Sequence, residues 1–119
     1  MILKTEWRVI LKYLKIILIA ASVALLNPAF ARAEDYVLTI KNHHFTPPVL
    51  EIPSDQKVKL IVDNKDATAE EFESYELNRE KVVGGNSKIT VFIGPLDPGT
   101  YPYFGDFHKD IATGKIVVK

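Results

Sequence analysis

From residue 35 onward, turn-forming residues recur so closely that no long element fits between them. Thr46-Pro47-Pro48, Pro53-Ser54-Asp55, Asn64-Lys65-Asp66, Gly84-Gly85-Asn86 and Asp97-Pro98-Gly99 cut the chain into short pieces. Proline lacks the N–H that a helix or central strand needs, and Gly, Asn and Asp tolerate the backbone angles of tight turns. The intervening pieces carry the two-residue alternation of half-buried strands. Tyr36 to Lys41 alternates in this way, and Val58, Leu60 and Val62 point one way while Lys57, Lys59 and Asp63 point the other. Lys88 to Ile93 and Gly114 to Val118 are β-branched runs, and Gly99 to Phe104 is aromatic at alternate positions. Many short strands with this punctuation predict an all-β, Greek-key β-sandwich.

The segment Ala67 to Glu80, ATAEEFESYELNRE, admits two readings. Thr68 precedes Glu71 by three residues, the spacing of a helix capping box. As a strand, the same residues place Glu71 and Glu73 on one face with Tyr75, and Phe72 on the other. In a helix two carboxylates at that spacing diverge by about 200°, whereas in a strand they are neighbours able to share a cation. The reading adopted is a short turn running into a strand from Glu71.

The first 33 residues have a different composition. Lys4, Arg8, Lys12 and Lys15 precede an apolar run from Ile16 to Leu26 that only Ser22 interrupts, and Asn27-Pro28 ends it. Ala29-Phe30-Ala31 and Ala31-Arg32-Ala33 then offer small-residue cleavage sites. The apolar run is shorter than the roughly 20 residues that span a bilayer. A cleaved export signal at 1–33 and a single exported domain at 34–119 are therefore expected, with no cysteine for lipid attachment at the new N-terminus.

The balance of 15 basic and 15 acidic residues conceals this asymmetry. Five of the basic residues fall in the leader, so residues 34–119 carry 10 basic and 14 acidic side chains. A small acidic domain points toward a cation or a basic partner and away from nucleic acid. The absence of cysteine excludes disulfides, thiolate metal sites and thiol nucleophiles. Eighty-six residues also leave little room for a deep substrate cleft, so paired carboxylates are poor evidence here for glycosidase-type catalysis.

Read in order, HHFTPPVLEIPSDQKVKLIVDNKD, EEFES and GPLDPGTYPYFGDFHKDIATGKIVV resemble a cupredoxin. Asn64 matches the Asn-terminated strand of that family, Pro98-Gly99-Thr100-Tyr101 its Pro-Gly-x-Tyr strand, and Gly114 to Val118 its last strand. The resemblance implies a ligand loop at 105–113, with His108 at the loop histidine's place, Gly105 where the family's cysteine stands, and the methionine's place near Ala112 or Thr113. It also implies that EEFES takes the place of the first histidine ligand, by Glu71 or Glu73. A blue copper centre needs a copper–thiolate bond, which this sequence does not provide.

EEFES, LNREKVV and YPYFGDFHKD are similar to a narrower group: periplasmic cupredoxin-like proteins that accompany a high-affinity iron permease. That resemblance implies a periplasmic metal-binding component of ferrous iron uptake, with copper or iron as its ion. An inner-membrane iron permease and other periplasmic uptake components would be its partners. It leaves open a ferroxidase-type role, an accessory metal-binding role, which is preferred, and a homodimer. The candidate ligands are Glu71, Glu73, Asp106, His108, His43 and His44, gathered at one end of the sandwich if cupredoxin topology holds. Carboxylate and imidazole suit Cu(II), Fe(II), Fe(III), Mn(II) or Zn(II). The competing reading is a cupredoxin fold that has lost its metal and serves as a binding module for another envelope protein.

Overall fold

The computed structural model describes residues 35–119, which form two β-sheets packed face to face. The expected leader lies outside the described residues. Nine strands follow in chain order: β1 (Asp35–Lys41), β2 (His44–Thr46), β3 (Val49–Ile52), β4 (Val58–Asn64), β5 (Glu70–Ser74), β6 (Arg79–Val83), β7 (Lys88–Ile93), β8 (Gly99–Gly105) and β9 (Thr113–Val118). A single 3-10 turn, Asp106–His108, sits between β8 and β9. One sheet has the order β2-β1-β4-β7 and the other β3-β9-β8-β5-β6. The strands β1 and β4 run parallel, as do β3 and β9, and the remaining pairs are antiparallel.

Alternation decides which side of each strand enters the core. In β4, Val58, Leu60, Val62 and Asn64 are buried while Lys59, Ile61 and Asp63 are not. Leu38 and Ile40 of β1, Phe45 of β2 and Val91 and Ile93 of β7 complete that inner face. Opposite them lie Ile52, Phe72, Val83, Tyr103, Ile116 and Val118 of the second sheet. Each such side chain contributes about 1.5–3 kcal/mol by leaving water. Phe45, Phe72 and Tyr103 form one aromatic group, with centroid separations of 5.0 Å for Phe45–Tyr103 and 5.2 Å for Phe72–Tyr103. The expected all-β sandwich is thus the fold observed.

The ambiguous segment is a strand. Its residues Glu70, Phe72 and Ser74 face inward, and Glu71 and Glu73 face outward. A turn at Tyr75–Asn78 then leads into β6. Burying Phe72 between the sheets outweighs the helix-capping signal at Thr68, because a helix there would leave the core open opposite Phe45.

The hairpin from β1 to β2 is unusually tight. Lys41 pairs with His44, so the loop is only Asn42 and His43, with φ values of 50° and 63°. A two-residue hairpin whose central residues both have positive φ usually carries Asn-Gly, since only glycine accepts the second position without strain.

Candidate metal centre

Three segments meet at one end of the sandwich: the Asn42-His43 turn, the start of β5, and the 3-10 turn after β8. The loop that bears His108 is closed by its own backbone, since Ala112 N–H donates to His108 O and Gly105 N–H to Ala112 O. Five of the six residues expected as ligands separate here into two groups.

The inner group is His43, Glu70 and His108, whose ligand atoms all lie within 4.8 Å of one another. Glu70 is the most enclosed charged residue type in the group, at 1% exposure. Its Oε1 accepts the N–H groups of Glu71 and Phe107, both at 2.9 Å, and its Oε2 lies 2.6 Å from His108 Nδ1. The His43 and His108 rings are stacked, with centroids 3.6 Å apart and planes inclined by 16°. Both rings are about one-third exposed, so the group opens to solvent on its imidazole side.

Gly105 explains how Glu70 fits. A Cβ at that glycine would lie 2.6 Å from Glu70 Cδ and 2.7 Å from Ala112 Cβ, closer than such atoms approach. The Glu70 carboxylate therefore occupies the space that a side chain at residue 105 would need.

The outer group is Glu71, Glu73 and Asp106, on the other face of β5. Glu80 is paired in register with Glu73 across β6. A hydrogen bond shared with Glu80, followed by burial and the charges of Glu80, Asp106 and Glu73, pushes the Glu71 carboxyl up to about 7. Burial, then the charges of Asp106 and Glu80, raises Glu73 as well. Lys109 lies 3.0 Å from Asp106, and that contact holds its ammonium above the usual lysine range.

Glu71 and Glu73, expected as the carboxylates facing the loop histidine, are thus separated from His108 by the thickness of the strand. The carboxylate that meets His108 is Glu70. Alternation in EEFES puts Glu70 in phase with the inward-facing Phe72, and the register of β5 against β8 then brings it to His108. His44 joins neither group: it starts β2 as an exposed residue. Arg79, close to the outer acids in sequence, donates to the carbonyls of Phe92, Leu77 and Asn78.

Chemically, the inner group is two imidazoles and one carboxylate. Zinc, for example, sits about 2.0–2.2 Å from nitrogen and oxygen donors, so ligand atoms within 4.8 Å of each other are close to what one ion requires. Imidazole and carboxylate accept Cu(II), iron or Zn(II), and the lack of sulfur excludes a blue centre. The Glu70–His108 hydrogen bond runs through Nδ1, so an ion shared by these two residues would take the place of the proton between Oε2 and Nδ1.

Two sheets of this order, with a histidine-bearing loop before the last strand at one end, define a β-sandwich of cupredoxin type that lacks the thiolate. The chain belongs to the cupredoxin-like domain family, whose profile matches residues 15–118. It is 49% identical over 81 residues to the uncharacterized protein RP394 of Rickettsia prowazekii (strain Madrid E). That match spans 68% of this chain and 65% of the rickettsial protein. Among solved structures, it is similar to auracyanin A, a "blue" copper protein from the green thermophilic photosynthetic bacterium Chloroflexus aurantiacus. The TM-score is 0.63 at 15% identity, covering 74% of this chain and 100% of auracyanin A. Amicyanin from Paracoccus versutus is similar with a TM-score of 0.56 at 16% identity, over 76% of this chain and 86% of amicyanin. At such identities the shared property is the fold.

Proposed function

We propose that this protein is an exported metal-binding domain that holds Cu(II) or iron at His43, Glu70 and His108 and serves a periplasmic ferrous iron uptake system. Residues 1–33 act as the cleaved signal and 34–119 as the working domain. The observation that carries the reading is the inner group itself: a buried glutamate against two stacked imidazoles at the family's ligand end.

Each residue has a distinct task. Glu70, immobilised by two backbone N–H donors, brings a hard anionic oxygen and keeps His108 in one orientation. His108 and His43 bring the nitrogen donors and the opening to solvent. A bound copper or iron ion supplies a one-electron couple. Carboxylate oxygens compensate the higher charge of Fe(III) better than that of Fe(II), which favours oxidation of ferrous iron as substrate. Such oxidation needs an electron acceptor from elsewhere, so the activity this chain performs alone is binding the ion and delivering it to a permease.

The test is titration of the purified protein with Cu(II), Fe(II), Fe(III), Mn(II) and Zn(II). The copper-loaded protein should be almost colourless, and its paramagnetic resonance should report nitrogen and oxygen ligands. Glu70→Gln and His108→Ala should each weaken binding at least tenfold, about 1.4 kcal/mol or more. Unchanged affinity in both variants would make the metal-free binding module the better account.

A further inference from the structure

We infer that Asp66 is a positioning residue for metal binding that acts through His43, building the turn that carries the ring and setting the ring against His108. The inference rests on the reading of His43 as a ligand. Asp66 lies 23 residues from His43 in sequence, yet its carboxylate accepts both N–H groups of the hairpin turn. Asn42 N–H reaches Oδ1 at 2.7 Å and His43 N–H reaches Oδ2 at 2.9 Å. The same Oδ2 lies 3.6 Å from His43 Nδ1. One carboxylate thus fixes the backbone of the turn and faces the ring.

Asp66 is itself held from the core. The fully buried Asn64 accepts Asp66 N–H on its Oδ1 at 3.0 Å and donates to Thr68 O at 2.8 Å and Gly84 O at 3.1 Å. Asp66 O accepts Asn86 N–H at 2.7 Å. A rigid path therefore runs from Asn64 through Asp66 to His43, and from there by ring stacking to His108.

Two features indicate that the arrangement serves the imidazole and not only the turn. A two-residue hairpin with positive φ at both positions is formed most readily by Asn-Gly; here a histidine stands at the position where glycine is easiest, with φ of 63°. His43 also presents Nδ1 to Asp66 at 3.6 Å, as a ligating histidine does toward the carboxylate that orients it.

The test compares Cu(II) titrations of the wild type, D66A, D66N, H43G and the D66A/H43G double variant, each purified from cells expressing the full chain. Loss of an orienting carboxylate typically weakens metal binding 10- to 100-fold, so D66A should bind Cu(II) at least about tenfold more weakly. The double variant should bind no more weakly than H43G alone if Asp66 acts on the ion through the His43 ring. Without metal, ring-nitrogen NMR should show the His43 signals of D66A and D66N displaced from those of the wild type. H43G, which suits the turn, should unfold at or above the wild-type temperature while binding Cu(II) more weakly. Should D66A fail to fold, D66N carries the comparison, since its amide oxygen still accepts from the turn; its expected loss is smaller. Unchanged affinity and unchanged ring signals in the foldable Asp66 variant overturn the inference. So does a D66A effect that persists undiminished in the H43G background. If H43G binds Cu(II) like the wild type, the ligand reading of His43 fails, and the inference with it.

Discussion

At the scale of single residues, neighbouring positions on β5 have opposite surroundings. Glu70 is satisfied by N–H donors and an imidazole, whereas Glu71 faces other carboxylates. The Glu71 carboxyl titrates at about 7 instead of 4.5. A group whose pKa rises on folding stabilises the fold fully below its unfolded value and loses that contribution as pH climbs through the folded value. In metal-free protein, this group should therefore lower stability between those two values. Glu71→Gln should remove that decline and unfold at a higher temperature than the wild type near pH 8, while differing little near pH 4; parallel melting curves at the two pH values decide it. Gly105 gives a second prediction. Ala at 105 has to displace Glu70, since its Cβ would lie 2.6 Å from Glu70 Cδ. Gly105→Ala should destabilise by about 1–3 kcal/mol and reduce Cu(II) affinity in the titration used for Glu70→Gln.

Elements differ in how plainly their sequences announce them. The strands β1, β4, β7, β8 and β9 are visible as alternating runs because each presents one face to the core and one to solvent. The strand β6 is not, since only Val83 of its five residues is buried. Its inward positions, Arg79 and Lys81, lie at the open side of the sandwich and reach across to β7. Arg79 Nε donates to Phe92 O and Lys81 Nζ to Thr90 O, both at 2.9 Å. These side chains cover carbonyls on an edge strand that would otherwise be available to another chain. Replacing both with Met should cost about 1 kcal/mol in chemical unfolding and promote self-association, visible as a concentration-dependent sedimentation rate. The short β2 and β3 were hidden for a different reason: the prolines between them look like loop, and only pairing with β1 and β9 makes these segments strands.

For the whole molecule, the fold places a cluster of unlike donors at one end of a domain whose core is complete without an ion. Metal binding should add stability by mass action and not be required for folding. At a free Cu(II) concentration about 100 times the dissociation constant the gain is about 2.7 kcal/mol. In a domain this small that raises the melting temperature by roughly 10–20 °C. Calorimetry of His108→Ala should show that rise largely abolished, with the metal-free melting temperature little changed.

Composition and local pattern by themselves determined the all-β sandwich, most of its strands and the lack of any thiolate chemistry, while EEFES and the loop around His108 were singled out by the resemblance to cupredoxins. The sandwich, its strands and the missing thiolate follow from short-range rules: two-residue alternation, turn chemistry and the presence or absence of a residue type. Only the tertiary structure decided which carboxylate meets which histidine. That choice depends on the register of β5 against β8, where Phe72 pairs with Gly105, and on the missing side chain at Gly105 that lets Glu70 in. Asp66 shows the same limit, being 23 residues from His43 and yet within 2.9 Å of its N–H. Distances between segments are fixed by packing two sheets together, and no periodicity along one strand contains that information.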